Sequence, residues 1–262
     1  MRDAVENDRF SNLVYDRPRT LLEKRLHYCS GCHHGTIHKI IAETLDDLGQ
    51  RENTIGIAPV GCAVLLYDYM DIDILEAPHG RAPALATGIR RALPDRVVFT
   101  YQGDGDLASI GMSEIIHAAN RGENITVVFV NNTTYGMTGG QMAPTTMLGQ
   151  KTTTSPYGRD FRTEGYPIRM AELLAGLEGV AYSVRVAVSS PAHIRKAKEA
   201  MRIGFEMQLK GMKMGLSLIE ILSTCPTNWG MRPLEAQKRV LGEMVEYFPL
   251  GVFKERKQAD FE

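Results

Sequence analysis

Residues 97–141 constrain the fold more than any other stretch. They read VVFTYQGDGDLASIGMSEIIHAANRGENITVVFVNNTTYGMTGGQ. An apolar run at 97–101 breaks into Gly103-Asp104-Gly105-Asp106. An amphipathic segment follows at 109–120, then a second apolar run at 125–130 and the pair Asn131-Asn132. Short apolar runs bounded by glycine and amide residues suit strands buried on both faces, and the segment between them has a helical period. Strand, turn, helix, strand is the order of a βαβ unit with a parallel pair. Its aspartates and asparagines then lie just past the carboxyl ends of two strands, where open parallel sheets bind ligands.

The rest of the chain continues the alternation. Strand-like runs stand at 54–59, 72–75, 181–188 and 216–222, and helical periods at 36–48, 82–93, 170–177, 191–209 and 233–248. Residues 21–26 suit a short helix or strand. The expectation is an α/β fold, a mostly parallel sheet with helices on both faces. The 262 residues can bury a sizeable core. We expect one domain over 25–262, preceded by a charged arm at 1–24. The polar stretch 143–167 has little periodicity, and loops of that length are functional or disordered. Its Lys151, Arg159 and Arg162 can meet an anionic substrate or a partner, or simply face water.

Lys and Arg number 30 against 31 Asp and Glu, with no basic patch that argues for nucleic acid. No apolar stretch approaches the roughly 20 residues of a membrane-spanning helix. Residues 1–20 lack the apolar centre of a signal peptide. A cytoplasmic location is expected, with the four cysteines reduced.

The residue types suggest a chemistry. Asp104 offers a hard anionic oxygen, Asn132 a neutral one from the next strand end, and Thr134 a backbone carbonyl. Such oxygens, with places left for phosphate and water, suit Mg²⁺. Gly103 and Gly105 permit close approach of a diphosphate. The alternative is an ordinary βα turn whose aspartate caps a helix. Cys29 and Cys32 form a Cys-x-x-Cys pair before a helix, and Cys62 and Cys225 stand singly at strand ends. They fit inert core residues, a metal centre or catalysis. As metal ligands, one pair with two distant singles suits an iron–sulfur cluster better than structural zinc. His79 lies at a strand-to-helix turn, and His34 and Gly35 open the helix after Cys32.

The spacing GDG, 25 residues, NN resembles the diphosphate-binding motif of thiamine diphosphate enzymes. More narrowly, the chain resembles the beta subunit of 2-oxoacid:ferredoxin oxidoreductases over about residues 25–255. The resemblance rests on Cys29-Ser30-Gly31-Cys32, Gly61-Cys62, His79-Gly80-Arg81, Gly103–Asp106 and Asn131-Asn132. Tyr135 to Gln141, Cys225-Pro226 and the tail 248–254 carry it as well. It looks closest to the 2-oxoisovalerate and 2-oxoglutarate branches. His33 departs from the glycine usual after the second cysteine.

The resemblance implies a thiamine diphosphate-binding fold of the diphosphate type and three cofactors: thiamine diphosphate, Mg²⁺ and a 4Fe-4S cluster. Cys29, Cys32, Cys62 and Cys225 would hold the cluster, and Asp104, Asn132 and Thr134 the Mg²⁺. Gly103, Gly105, Asp106, Tyr135, Gly136 and Thr138 would contact the cofactor, with His34 and Gly35, and His79 would stand nearest the reacting carbon. The activity implied is oxidative decarboxylation of a 2-oxoacid to acyl-CoA and CO₂, with electrons passed to ferredoxin. An alpha subunit, with a gamma subunit, would supply the pyrimidine-binding domain and its activating glutamate. Coenzyme A, ferredoxin and the 2-oxoacid complete the expected partners, and no nucleic acid or membrane is among them.

Overall fold

The computed structural model describes residues 14–209 and 214–256. Seven strands form one sheet: β1 (Thr54–Pro59), β2 (Asp73–Ala77), β3 (Val97–Gly103), β4 (Thr126–Asn131), β5 (Val180–Ala187), β6 (Leu216–Leu222) and β7 (Gly251–Glu255). Their order is β2-β1-β3-β4-β6-β5-β7, and every pair is parallel except β5 with β7. The main helices are α1 (His34–Asp47), α2 (Ala82–Ala92), α3 (Met112–Asn120), α4 (Met170–Ala175) and α5 (Pro191–Leu209).

Strand β3 shows why the sheet is covered twice. Val97, Phe99 and Tyr101 point into one apolar layer with Ile37 and Ile41 of α1 and Phe205 of α5. Val98 points into the other, with Ala86 of α2, Ile115 of α3 and Leu174 of α4. A strand alternates its side chains between faces, so a continuous apolar run must be buried on both. The expected α/β class, with helices on both faces, is the fold observed.

The order of the strands creates the crevice. Strand β1 connects outward to β2 on one side, and β3 connects to β4 on the other. Chain directions therefore diverge above the carboxyl ends of β1 and β3, the switch point at which such sheets open to ligands.

Several boundaries differ from the sequence expectation. The helix expected from 109 is preceded by a wide π-helical turn, Asp106–Ile110. Such turns recur at functional sites. The C-terminal helix is interrupted by a second such turn at Val240–Met244. Strand β7 was not anticipated, and residues 21–26 form only an isolated bridge, Leu21 to Met70. Residues 1–13 of the expected arm lie outside the described residues. Its later part is docked: Thr20 is buried and bonded to Asp46, and Leu22 N–H donates to the Tyr69 carbonyl at 2.8 Å.

The stretch 143–167 contains one four-residue helix, Phe161–Glu164, and one isolated bridge, Leu148 to Arg159. Arg159 does not face a substrate. It is buried, and it donates to the carbonyls of Ala143, Pro144, Thr146, Glu164, Gly165 and Tyr166 at 2.7–3.4 Å. Arg162 is exposed and paired with Asp160 at 2.6 Å. One guanidinium thus gathers carbonyls from both ends of the segment, beside the isolated backbone bridge of Arg159 to Leu148. Arg159→Met is expected to destabilise the chain by at least about 3 kcal/mol, because it strands several buried carbonyls. Urea unfolding would measure this, with chymotrypsin cleavage at exposed Tyr157 and Tyr166 as a second reading. Wild-type values in both would show that another contact holds the loop.

Candidate active site

The crevice above β1 and β3 collects most of the side chains singled out in the sequence. Its floor is Gly103, Asp104, Gly105 and Asp106, and one wall is Asn132, Thr134, Tyr135, Gly136 and Thr138. His34, Cys62 and His79 face it from the other elements. A Cβ on Gly103 would meet nothing within 4 Å, so the strand end is open above its backbone. Gly35 is not among the lining residues. A Cβ there would fall 2.4 Å from Leu26 Cδ1, the end of a flexible, partly exposed side chain that can give way.

Asp104 is buried at the end of β3. Its Oδ1 accepts Gly105 N–H at 2.9 Å, and its Oδ2 accepts Thr134 N–H at 3.1 Å and the Thr145 hydroxyl at 2.8 Å. Thr134 N–H also lies 3.2 Å from Asn132 Oδ1, so one amide gathers both predicted oxygen ligands. The turn is unusual. Thr133 has φ 61°, a left-handed conformation rare for a β-branched residue. Asn131 Oδ1 accepts its N–H at 3.2 Å, and its carbonyl accepts the Thr146 hydroxyl at 2.7 Å and Gln150 Nε2 at 3.1 Å. Burial pushes the Asp104 carboxyl up to about 7, and the opposing groups are N–H and O–H donors rather than cations. A buried carboxylate without a counter-charge fits a site built to receive a divalent ion.

On the opposite side, His79 pairs through Nδ1 with Asp106 Oδ1. Asp106 is buried and also accepts Gly80 N–H at 2.7 Å and Gln102 Nε2 at 2.6 Å. Both carboxylate oxygens are thus engaged. An acceptor at Nδ1 places the proton there and leaves Nε2 for the crevice. The pairing needs close backbone contact, because a Cβ on Gly80, at φ +77°, would stand 2.7 Å from Gly111 N. His34 bonds to the Tyr101 hydroxyl and stacks on Tyr28 at 4.8 Å. Burial, helped by His27 and His33, pushes it down to about 3, so its ring is neutral.

The four cysteines form no disulfide. They come together from three places in the chain. A Cβ at Gly136 would stand 3.3 Å from Cys62 Sγ, 3.8 Å from Cys225 Sγ and 3.8 Å from Asn132 Nδ2. The Cys29–Cys32 turn joins them through Gly31, whose carbonyl accepts the Thr224 hydroxyl at 2.6 Å. Burial pushes the Cys32 thiol up to about 12, and Cys225, Cys62 and Cys29 add to the rise. Burial, with Cys225 and Cys29, lifts Cys62 to about 11. Asn228 Nδ2 lies 3.2 Å from Cys225 Sγ. Among the described residues, no three or more His, Cys, Asp or Glu side chains stand where they would hold a metal ion. The thiols share a region rather than a closed ligand set.

Sequence reasoning missed Thr145, Tyr101 and Asn228. Asn228 had a usable signal, because it stands three residues after Cys225 at the start of the short helix Pro226–Trp229. Thr145 had none, lying in a polar segment without periodicity.

The chain is similar to known proteins over most of its length. The family described as thiamine pyrophosphate enzyme, C-terminal TPP binding domain, matches residues 60–221. The ketoisovalerate oxidoreductase subunit VorA of Methanothermobacter thermautotrophicus is 49% identical over 243 residues, 93% of this chain and 50% of VorA. The 2-oxoglutarate synthase subunit KorB of Archaeoglobus fulgidus is 34% identical over 245 residues, 89% of this chain and 86% of KorB. The chain belongs to the thiamine pyrophosphate enzymes, among their 2-oxoacid oxidoreductase subunits. It spans about half the length of the VorA relatives. The same fold recurs in a solved 2-oxoglutarate:ferredoxin oxidoreductase from Magnetococcus marinus, with 2-oxoglutarate, coenzyme A and succinyl-CoA bound. The TM-score is 0.70 at 24% identity, covering 94% of this chain and 87% of that one. The family-model match begins at Val60, so Cys29, Cys32 and His34 lie outside it.

The raised Asp104 value has a testable sign. A carboxyl whose folded value lies above its ordinary 3.8 binds its proton more tightly when folded. Its stabilising contribution is complete below pH 3.8 and is lost as pH rises through about 7. Without divalent ions, stability should therefore fall across that window, and Asp104→Asn should flatten the fall. Urea unfolding at pH 5 and pH 8 would test it, and an unchanged slope in the variant would remove Asp104 as the cause.

Proposed function

We propose that this chain is the beta subunit of a CoA-dependent 2-oxoacid:ferredoxin oxidoreductase that binds thiamine diphosphate, Mg²⁺ and a 4Fe-4S cluster. The observation that carries the reading is the junction at Gly136, where the Asn132 side chain and the Cys62 and Cys225 sulfurs approach one point. When bound, thiamine diphosphate supplies a carbon that adds to the 2-oxoacid carbonyl and takes the electron pair left by CO₂, and the cluster supplies one-electron transfer.

The chain's own residues divide the work. Asp104 and Asn132, with the Thr134 carbonyl, would hold Mg²⁺ and through it the diphosphate. Gly103, Gly105, Tyr135, Gly136 and Thr138 would shape the cradle, with His34 as a neutral wall. His79, fixed by Asp106, offers Nε2 to a developing charge on the substrate oxygen or to a proton in transfer. Cys29, Cys32, Cys62 and Cys225 would hold the cluster as thiolates, with the Asn228 N–H stabilising the charge on Cys225 sulfur.

The pyrimidine-binding domain and its activating glutamate would come from an alpha subunit, with a gamma subunit in the assembly. Two apolar side chains of the crevice, Val60 and Met137, stand 45% and 50% exposed, which supports coverage by a partner. Coenzyme A would take the acyl group and ferredoxin the electrons. The identity of 49% to VorA against 34% to KorB favours 2-oxoisovalerate, with 2-oxoglutarate next. Residues 25–262 would act as one thiamine diphosphate domain in the cytoplasm. Among the described residues no helix is long and apolar enough to cross a membrane.

The assembled complex, purified without oxygen, should carry one thiamine diphosphate and about four irons per beta chain. Zinc or a colourless protein would overturn the cluster, and absence of thiamine would overturn the enzyme. Among pyruvate, 2-oxoisovalerate, 2-oxoglutarate and aryl oxoacids, kcat/KM should be highest for 2-oxoisovalerate. Cys225→Ser should lose iron while thiamine binding persists, and Asp104→Ala should lose thiamine binding. Full iron in the first variant or normal thiamine affinity in the second would remove that residue from its ligand set.

A further inference from the structure

Glu220 is a fully buried carboxylate in β6 that the proposed chemistry does not use. Strand β6 pairs with β4, which places Glu220 opposite Phe129, two residues before Asn131. Both of its oxygens are engaged. Oε1 accepts Asn131 Nδ2–H at 2.8 Å, and Oε2 accepts Ala171 N–H at 3.1 Å and lies 3.0 Å from Arg185 Nε. The Arg185 side chain is also buried. Glu172, the Pro249 carbonyl at 3.0 Å, and the rings of Phe248 and Phe253 at 5.3 and 5.0 Å hold it in place.

A buried ion pair contributes little net stability. What a carboxylate does here that an apolar side chain cannot is accept hydrogen bonds without donating any. An asparagine amide can otherwise sit in either of two orientations. Facing Glu220, Asn131 must present its NH₂. Its Oδ1 is then left for Thr133 N–H, at 3.2 Å. That bond closes the turn in which Thr133 is left-handed. The following amide, of Thr134, reaches both Asp104 Oδ2 and Asn132 Oδ1.

We propose that Glu220 is a positioning residue for the cation–diphosphate site. It selects one orientation of the Asn131 amide, and that orientation sets the turn aligning Asn132 and Thr134 with Asp104. This rests on the reading of Asp104, Asn132 and Thr134 as the Mg²⁺ holders.

A donor–acceptor exchange tests it in the assembled complex. Asn131→Asp sets two acceptors against each other. It should weaken Mg²⁺-dependent thiamine diphosphate binding at least about tenfold, the scale of one lost hydrogen bond to a charged group. In Asn131→Asp with Glu220→Gln, the amide at position 220 donates to the carboxylate at position 131. The other oxygen of that carboxylate still accepts Thr133 N–H. Affinity should return to within about threefold of wild type, a recovery of more than half of that hydrogen-bond scale. Calorimetric titration of thiamine diphosphate with and without Mg²⁺ reads the effect, and thermal midpoints of each complex read stability separately. A double variant that binds no better than Asn131→Asp, whether folded or not, overturns the proposal. A wild-type complex that binds no thiamine diphosphate overturns the functional reading instead.

Discussion

One buried carboxylate organises this molecule. Asp104 is held by donors from three segments: Gly105 at the end of β3, Thr134 in the turn after β4, and Thr145 in the long loop. None is a cation, and burial lifts its pKa to about 7. An ionised carboxylate in that setting is costly unless a charge arrives from outside the chain. The fold tolerates the cost because the same contacts define the crevice. Functional sites are where such local expense is expected.

The wall of the crevice is shared between two chemistries. On one side of Gly136 the Asn132 side chain and the Cys62 and Cys225 sulfurs approach the same point. The Gly136 carbonyl accepts Asn228 Nδ2 at 2.7 Å, and the same nitrogen lies 3.2 Å from Cys225 Sγ. A shift of this wall therefore reaches both.

Residues 97–141 were legible because their requirements are local. Two-sided burial demands continuous apolar runs, and a ligand site at strand ends demands small and oxygen-bearing residues there. The structure brings Asp104, Asn132, Thr134 and His79 to one crevice as the spacing suggests. What could not be read depends on contacts distant in the chain. Thr145 reaches Asp104 across 41 positions, and Asn131 meets Glu220 across 89. Arg159 reads as a free cation in a polar loop, yet its six carbonyl partners make it that loop's interior. Gly35 is expected to contact the cofactor, and in the fold it packs beside Leu26, outside the crevice lining.

The C-terminal tail gains a physical meaning on the same grounds. In the sequence, residues 248–254 stand out only through a family resemblance. In the fold, Phe248, Pro249 and Phe253 enclose the Arg185 guanidinium, which pairs with Glu220. Glu220 faces Asn131, and Asn131 closes the turn beneath the crevice. Strand β7 pairs with β5 across Arg185 itself. The single antiparallel strand, at the far edge of the sheet, thus braces an ion pair whose other end sets the geometry beside Asp104. Loosening that edge would reach the site through these oriented hydrogen bonds and aromatic contacts, and the apolar layers with it, because Phe253 and Phe248 pack into them.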